Sequence, residues 1–162
     1  MSQCCSSSHT ANNTPKKHIC PVNGNRYSSV PQSTIMHHIN NPWAWHNKSQ
    51  GYYFCDAPKC EVVYFGQDNS VIEKSQLRTS VGIKEKSNDS LICYCYGVTL
   101  KEARNNTTIK EFVIKQTKEH SCACDARNPS GKCCLKDFPS KKSLTSLILI
   151  SIGKFNHTSK LT

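Results

Sequence analysis

The run CACDARNPSGKCC, residues 122 to 134, sets two pairs of cysteines on either side of an Asn-Pro-Ser-Gly turn. Upstream, SLICYCYGVT carries Cys93 and Cys95, and a third thiol set combines Cys20 in CPVNG with Cys55 and Cys60 in GYYFCDAPKCEVVYFG. Thiols at such density crosslink, bind metal or exchange disulfides. Exchange chemistry favours Cys-x-x-Cys at a helix start, and that spacing is absent from the sequence. No catalytic triad, phosphate-cradling glycine loop or paired-carboxylate constellation appears either, so the chain reads as a metal-binding or electron-transfer protein before an enzyme.

Disulfides and metal sites compete for the eleven cysteines. The N-terminus, MSQCCSSSHTANNTPKK, has no apolar core of a secretory signal, which predicts a cytoplasmic protein with reduced thiols. An odd cysteine count also leaves one thiol over in any all-disulfide scheme. Metal ligation is therefore the stronger expectation. With only 36% hydrophobic and 8% aromatic residues in 162, the apolar core is thin, and metal crosslinks would add stability that burial cannot.

For the first centre, two aromatic and β-branched runs flank the Cys-x4-Cys turn of residues 55 to 60, a hairpin pattern that brings Cys55 and Cys60 together. Cys20, on its own turn, is a third thiolate, and a structural zinc site asks for a fourth ligand. The usual CPxCG knuckle would place a cysteine at position 23, which is Asn23 here. The remaining candidates are His18, His37, His38, Asp56 or water, with His38 preferred; Thr34 is expected to cap the short helix that carries it and ends before Pro42.

For the second centre, Cys93 and Cys95 lie close enough in sequence for both sulfurs to reach one iron if the backbone turns around it. Between them and the 122–134 loop come two capping-box signals, Thr99 to Glu102 and Thr108 to Glu111, and an apolar stripe of Ile109, Phe112 and Val113 extending to Gln116. Two short helices returning to their start would bring Cys122/Cys124 and Cys133/Cys134 beside Cys93 and Cys95. Four thiolates from two loops suit a [2Fe-2S] cluster, with Asn128, Pro129 and Gly131 forming the tight turn.

Together these residues resemble a known family. CYCYGVT, two helices and CDARNPSGKCCL resemble the [2Fe-2S] domain of bacterioferritin-associated ferredoxin, and CPVNG with YYFCDAPKCEVVYF resembles the zinc module of CopZ-type copper chaperones, over roughly residues 18 to 138. The resemblance implies a [2Fe-2S] cluster held by Cys93, Cys95, Cys124 and Cys134, with Cys133 as the alternative fourth ligand, and a zinc ion held by Cys20, Cys55 and Cys60. It further implies electron transfer or redox sensing in copper homeostasis, with a redox partner and a separate copper carrier or transporter as partners. CopZ chaperones append a ferredoxin-like domain bearing M-x-C-x-x-C, and nothing after residue 138 resembles it.

The expected fold class is α+β: a small cysteine-rich zinc-binding β-hairpin module followed by a helical [2Fe-2S] module. The divisions read as a disordered arm at 1–17, the zinc module at 18–90, the cluster module at 91–138 and a basic tail at 139–162, with the polar run KEKSNDS at 84–90 as linker. Cys4 and Cys5 in the arm are further soft-metal ligand candidates. The +10 formal charge is spread over all parts of the chain, four lysines falling in the tail, and metal-bound thiolates would lower it, so nucleic-acid binding is not expected. LTSLILISIG, residues 144 to 153, is about half the length of a membrane span, so no span is expected either. The rival readings are a purely structural or regulatory zinc protein and a soft-metal scavenger working through the arm.

Overall fold

The structure, a computed structural model, describes residues 14–139. Cys4, Cys5 and the segment 144–153 lie outside the described residues.

Five antiparallel strands in sequential order make the principal sheet: β1 (Lys17–Ile19), β2 (Arg26–Val30), β3 (Tyr52–Phe54), β4 (Val62–Gly66) and β5 (Val71–Glu73). Strand β4, between β3 and β5, is VVYFG, buried along its whole length, as a β-branched and aromatic run covered on both faces should be. Tyr53 of β3 pairs with Phe65 of β4 and stacks on it, with ring centroids 5.4 Å apart. The expected arm ends sooner than residue 17: Lys17 belongs to β1, and the Pro15 carbonyl accepts a hydrogen bond from the Tyr53 hydroxyl.

Side chains of the sheet feed two separate apolar clusters. One joins Val30, Tyr52, Val63, Tyr64 and Ile72 to Ile35 and Ile39 from helix α1 (Gln32–His38) and its C-cap. The other joins Tyr27, Tyr53, Val62 and Phe65 to Cys20, Cys55 and Cys60. Thr34 does not cap α1 as its sequence suggests. Pro31 holds the N-cap position, and the Thr34 hydroxyl instead donates to the Asp125 carbonyl at 2.5 Å.

The remainder begins with a short hairpin, β6 (Leu91–Cys93) and β7 (Val98–Thr99), followed by α2 (Leu100–Asn105), α3 (Thr107–Lys118), α4 (Cys124–Arg127) and a 3-10 turn at Cys134–Asp137. The Thr99/Glu102 capping box forms at the start of α2. The second expected box does not, because Asn106 caps α3 by accepting from the Thr108 N–H. Of the α3 stripe, Val113 is buried and Ile109 packs on the core, whereas Phe112 is 47% exposed and meets Tyr96 edge-on.

The expected linker at 84–90 does not begin as a solvated segment. Val81 is in the sheet core, and Lys84 is 4% exposed. The thiol-bearing loop also packs on the sheet layer: α1 contacts α4, and the buried Tyr64 hydroxyl donates to the Pro129 carbonyl at 2.9 Å. Gly131 closes the turn at φ +65°, a conformation costly for other residues, and a Cβ there would lie 3.1 Å from Cδ of Pro31. The chain is thus a mixed α/β fold in which a small cysteine-rich sheet supports a shorter helical segment.

Candidate metal centres

Cys55 and Cys60 flank the turn that joins β3 to β4, while Cys20 precedes the turn leading from β1 to β2. Gly24, at φ +73°, lets that turn fold back so that its N–H donates to the Cys20 carbonyl. All three thiols are buried, and their sulfurs lie within 4.8 Å of one another. Burial and the neighbouring thiol of Cys55 push the Cys60 thiol up. Three buried thiols at this spacing match the donor set and size of a zinc site, since thiolates ligate zinc at about 2.3 Å and the ion offsets their repulsion.

Among the described residues no histidine or carboxylate completes this group. His38, the preferred fourth ligand on sequence grounds, is instead held on α1. Its ring is 1% exposed, Nδ1 lies 2.9 Å from the Thr79 hydroxyl, and Nε2 has no hydrogen-bond partner. Burial, with the adjacent His37, depresses its pKa to about 4. The reason for the mismatch is that α1 packs its apolar residues into the other core cluster, away from the thiols. His18 lies tilted against Tyr53 and stacks on Phe65, and His37 and Asp56 are exposed.

Two groups address the Cys55 sulfur: Asn23, set aside on sequence grounds as the residue in place of a knuckle cysteine, and Lys84, which sequence reasoning did not single out. The Asn23 side-chain amide donates to that sulfur at 3.2 Å, while Asn23 Oδ1 accepts from the Asn25 N–H. Position 23 is where a knuckle cysteine would stand, so the amide has become a donor to a thiolate rather than a ligand. Lys84 Nζ lies 3.9 Å from the same sulfur. No sequence signal marks Lys84, which sits in a run of charged residues typical of a surface.

The second set converges from two loops. Cys95 Sγ and Cys124 Sγ are 3.6 Å apart, and the buried Cys93 and Cys134 pack in the same cluster beside them. Hydrogen bonding by the Cys134 thiol and by the Tyr96 and Cys95 N–H groups lowers the Cys93 pKa against the opposing effect of burial, while interaction with Cys93 and burial push Cys134 up. Burial, followed by the proximity of Cys95, pushes Cys124 up. Cys133 is exposed, and Cys122 turns toward the Thr117 hydroxyl at 3.9 Å. Of the doublet, Cys134 is therefore the thiol directed inward beside Cys93.

These four thiols differ from the first three in spread. Among the described residues, no three of them come as close together as Cys20, Cys55 and Cys60 do. Two come from the β6–β7 hairpin and two from the 122–134 loop, and Cys95 and Cys124 meet across the two segments. Val98, Ala103, Val113 and Phe138 close the apolar side of this group.

Residues 17–78 match the zinc binding domain family of the CopZ type. The copper chaperone CopZ of Archaeoglobus fulgidus is 33% identical over 118 residues, covering 71% of this chain and 57% of that protein, so the chain spans little more than half of its relative's length. The X-ray structure of the A. fulgidus CopZ N-terminal domain superposes with a TM-score of 0.57 at 32% identity, over 80% of this chain and 97% of that one. At 32% identity over 97% of that domain, the chain belongs to the family of the CopZ N-terminal domain.

Proposed function

We propose that this chain is the redox half of a copper-handling system, with a structural zinc in the sheet and a [2Fe-2S] cluster between the hairpin and the 122–134 loop. The observation that carries the second assignment is the 3.6 Å approach of Cys95 to Cys124 within one cluster that also holds the buried Cys93 and Cys134. Cys95 and Cys124 are close enough to share one metal, whereas no three of the four thiols approach one another as closely as Cys20, Cys55 and Cys60 do among the described residues. An all-sulfur, two-pair donor set is what a two-iron cluster uses. The similarity to a copper chaperone supplies the metal-homeostasis setting.

When bound, the cluster supplies one-electron transfer. The chain's own groups define its surroundings. Hydrogen bonding by the Cys134 thiol and by the Tyr96 and Cys95 N–H groups lowers the Cys93 pKa and so favours negative charge at that sulfur. Phe138 and Val113 exclude water from the buried side. Cys95 and Cys124 are only partly buried, so this pair forms the exposed edge through which a redox partner would approach. Arg127, donating to the Cys95 carbonyl, places a positive charge at that edge and favours an acidic partner surface.

Anaerobic purification followed by metal and acid-labile sulfide analysis tests this reading. About two iron, two sulfide and one zinc per chain is expected, with visible absorption that bleaches on dithionite reduction. Colourless, sulfide-free protein carrying zinc alone would leave the rival zinc-only reading in its place.

A further inference from the structure

Lys84 is almost completely buried, and its ammonium donates to the carbonyls of Ala57 and Cys60 at 3.0 and 2.9 Å. Both carbonyls belong to the turn that carries Cys55 and Cys60, so the lysine reaches into the zinc knuckle from a distant part of the chain. Among the described residues no carboxylate forms an ion pair with it. A cation removed from water without an anion is strongly unfavourable, and two neutral carbonyls compensate only part of that cost. The nearest groups able to carry negative charge are the thiols, with Cys55 Sγ at 3.9 Å.

Charge counting then constrains the site. Three thiolates on a divalent zinc leave one net negative charge, which the Lys84 ammonium matches. An anionic fourth ligand would leave a buried negative charge uncompensated. Asn23 does not fill the position, because its amide nitrogen faces the Cys55 sulfur and its oxygen is engaged by Asn25. We propose that Lys84 is the charge complement of a three-thiolate zinc centre formed by Cys20, Cys55 and Cys60, and that the fourth ligand of this centre is electrically neutral. Lys84 acts as a positioning residue through Cys55 and does not itself touch the ion. This inference rests on the assignment of zinc to the trio and is independent of the iron-sulfur assignment.

The test compares the full chain with Lys84→Met, Lys84→Gln and Lys84→Arg. Zinc affinity is measured by chelator competition, thermal stability with and without zinc, and the sulfur-to-metal charge-transfer band after cobalt(II) substitution. Loss of the charge in the Met and Gln variants is expected to weaken zinc binding by about 10- to 100-fold, the range for a group that supports a metal ligand. The rise in melting temperature on adding zinc should shrink accordingly. The cobalt band should move to lower energy, because the Cys55 thiolate loses the field of the ammonium. Lys84→Arg, which keeps the charge, should retain most of the affinity.

A purely structural role predicts something different: equal destabilisation of the zinc-free and zinc-bound forms, with affinity and band position unchanged. That outcome in Lys84→Met, or wild-type affinity in Lys84→Gln, overturns the proposal. Should Lys84→Met not fold, the Gln and Arg pair decides the matter in the same way. A wild-type chain that takes up no zinc would instead sink the zinc assignment, so the two failures are distinguishable.

Discussion

Cys95 and Cys124, twenty-nine positions apart in the chain, place their sulfurs 3.6 Å from each other. The contact exists because α2 and α3 carry the backbone out from the β6–β7 hairpin and back to it. Each member is partly buried, and the pair lies beside the fully buried Cys93 and Cys134.

Within this group the serine variants should separate ligands from bystanders. Cys93→Ser, Cys95→Ser, Cys124→Ser and Cys134→Ser are each expected to abolish or strongly reduce visible absorption and bound sulfide in anaerobically purified protein. Cys133→Ser, at an exposed thiol, should leave both unchanged. Cluster loss in Cys133→Ser with retention in Cys134→Ser would reverse the assignment within the doublet.

A pH dependence follows from His38. Its pKa is depressed in the folded chain to about 4, mainly by burial, whereas the unfolded value lies near 6.5. Between these values the unfolded chain binds more protons, so stability falls as pH drops through that window and levels off below it. A shift of this size corresponds to about 3 kcal/mol. His38→Gln should flatten the loss of urea stability between pH 6.5 and 4, and an unchanged slope would show that other groups control it. His37 and Arg78, whose charges also face the ring, remain in that variant.

The seat of the 122–134 loop on the sheet can be probed at Tyr64. Its buried hydroxyl donates to the Pro129 carbonyl, and Tyr64→Phe removes the donor while keeping the ring. A cost of about 1–3 kcal/mol is expected in urea denaturation, the range for leaving a buried acceptor unsatisfied. The loop carrying Cys124 should also show faster amide hydrogen exchange. No change in either measurement would mean that the sheet does not support the loop.

Zinc removal should act first on the sheet. Chelation takes away the group that joins the β1–β2 turn to the β3–β4 turn, so the melting temperature should fall and the Tyr53 and Phe65 signals should broaden in NMR spectra. Re-addition of about one equivalent of zinc should restore both. Insensitivity to chelation, with zinc shown by analysis to have left, would count against a stabilising role for the ion.

The sequence by itself determined the local features whose causes lie within a few residues. The Cys-x4-Cys hairpin, the Thr99/Glu102 capping box and the tight turn at Asn128–Gly131 all form as their residue types dictate. It also marked out the three thiol sets, because cysteines at such density have few alternative uses. Tertiary structure alone decided which of two neighbouring residues points inward. His38 belongs to a helix that packs into a different core cluster from the thiols, and no spacing rule reveals which face a short helix buries. Cys134 and Cys133 likewise differ only by the direction the chain takes on entering the final 3-10 turn. Lys84 is the clearest instance: a charged side chain in a polar run reads as solvated, and only the return of residues 80–85 to the knuckle buries its ammonium beside Cys55. Local propensity is a property of adjacent residues, whereas burial and charge pairing depend on distant segments that meet only once the sheet, α1 and the loop have packed.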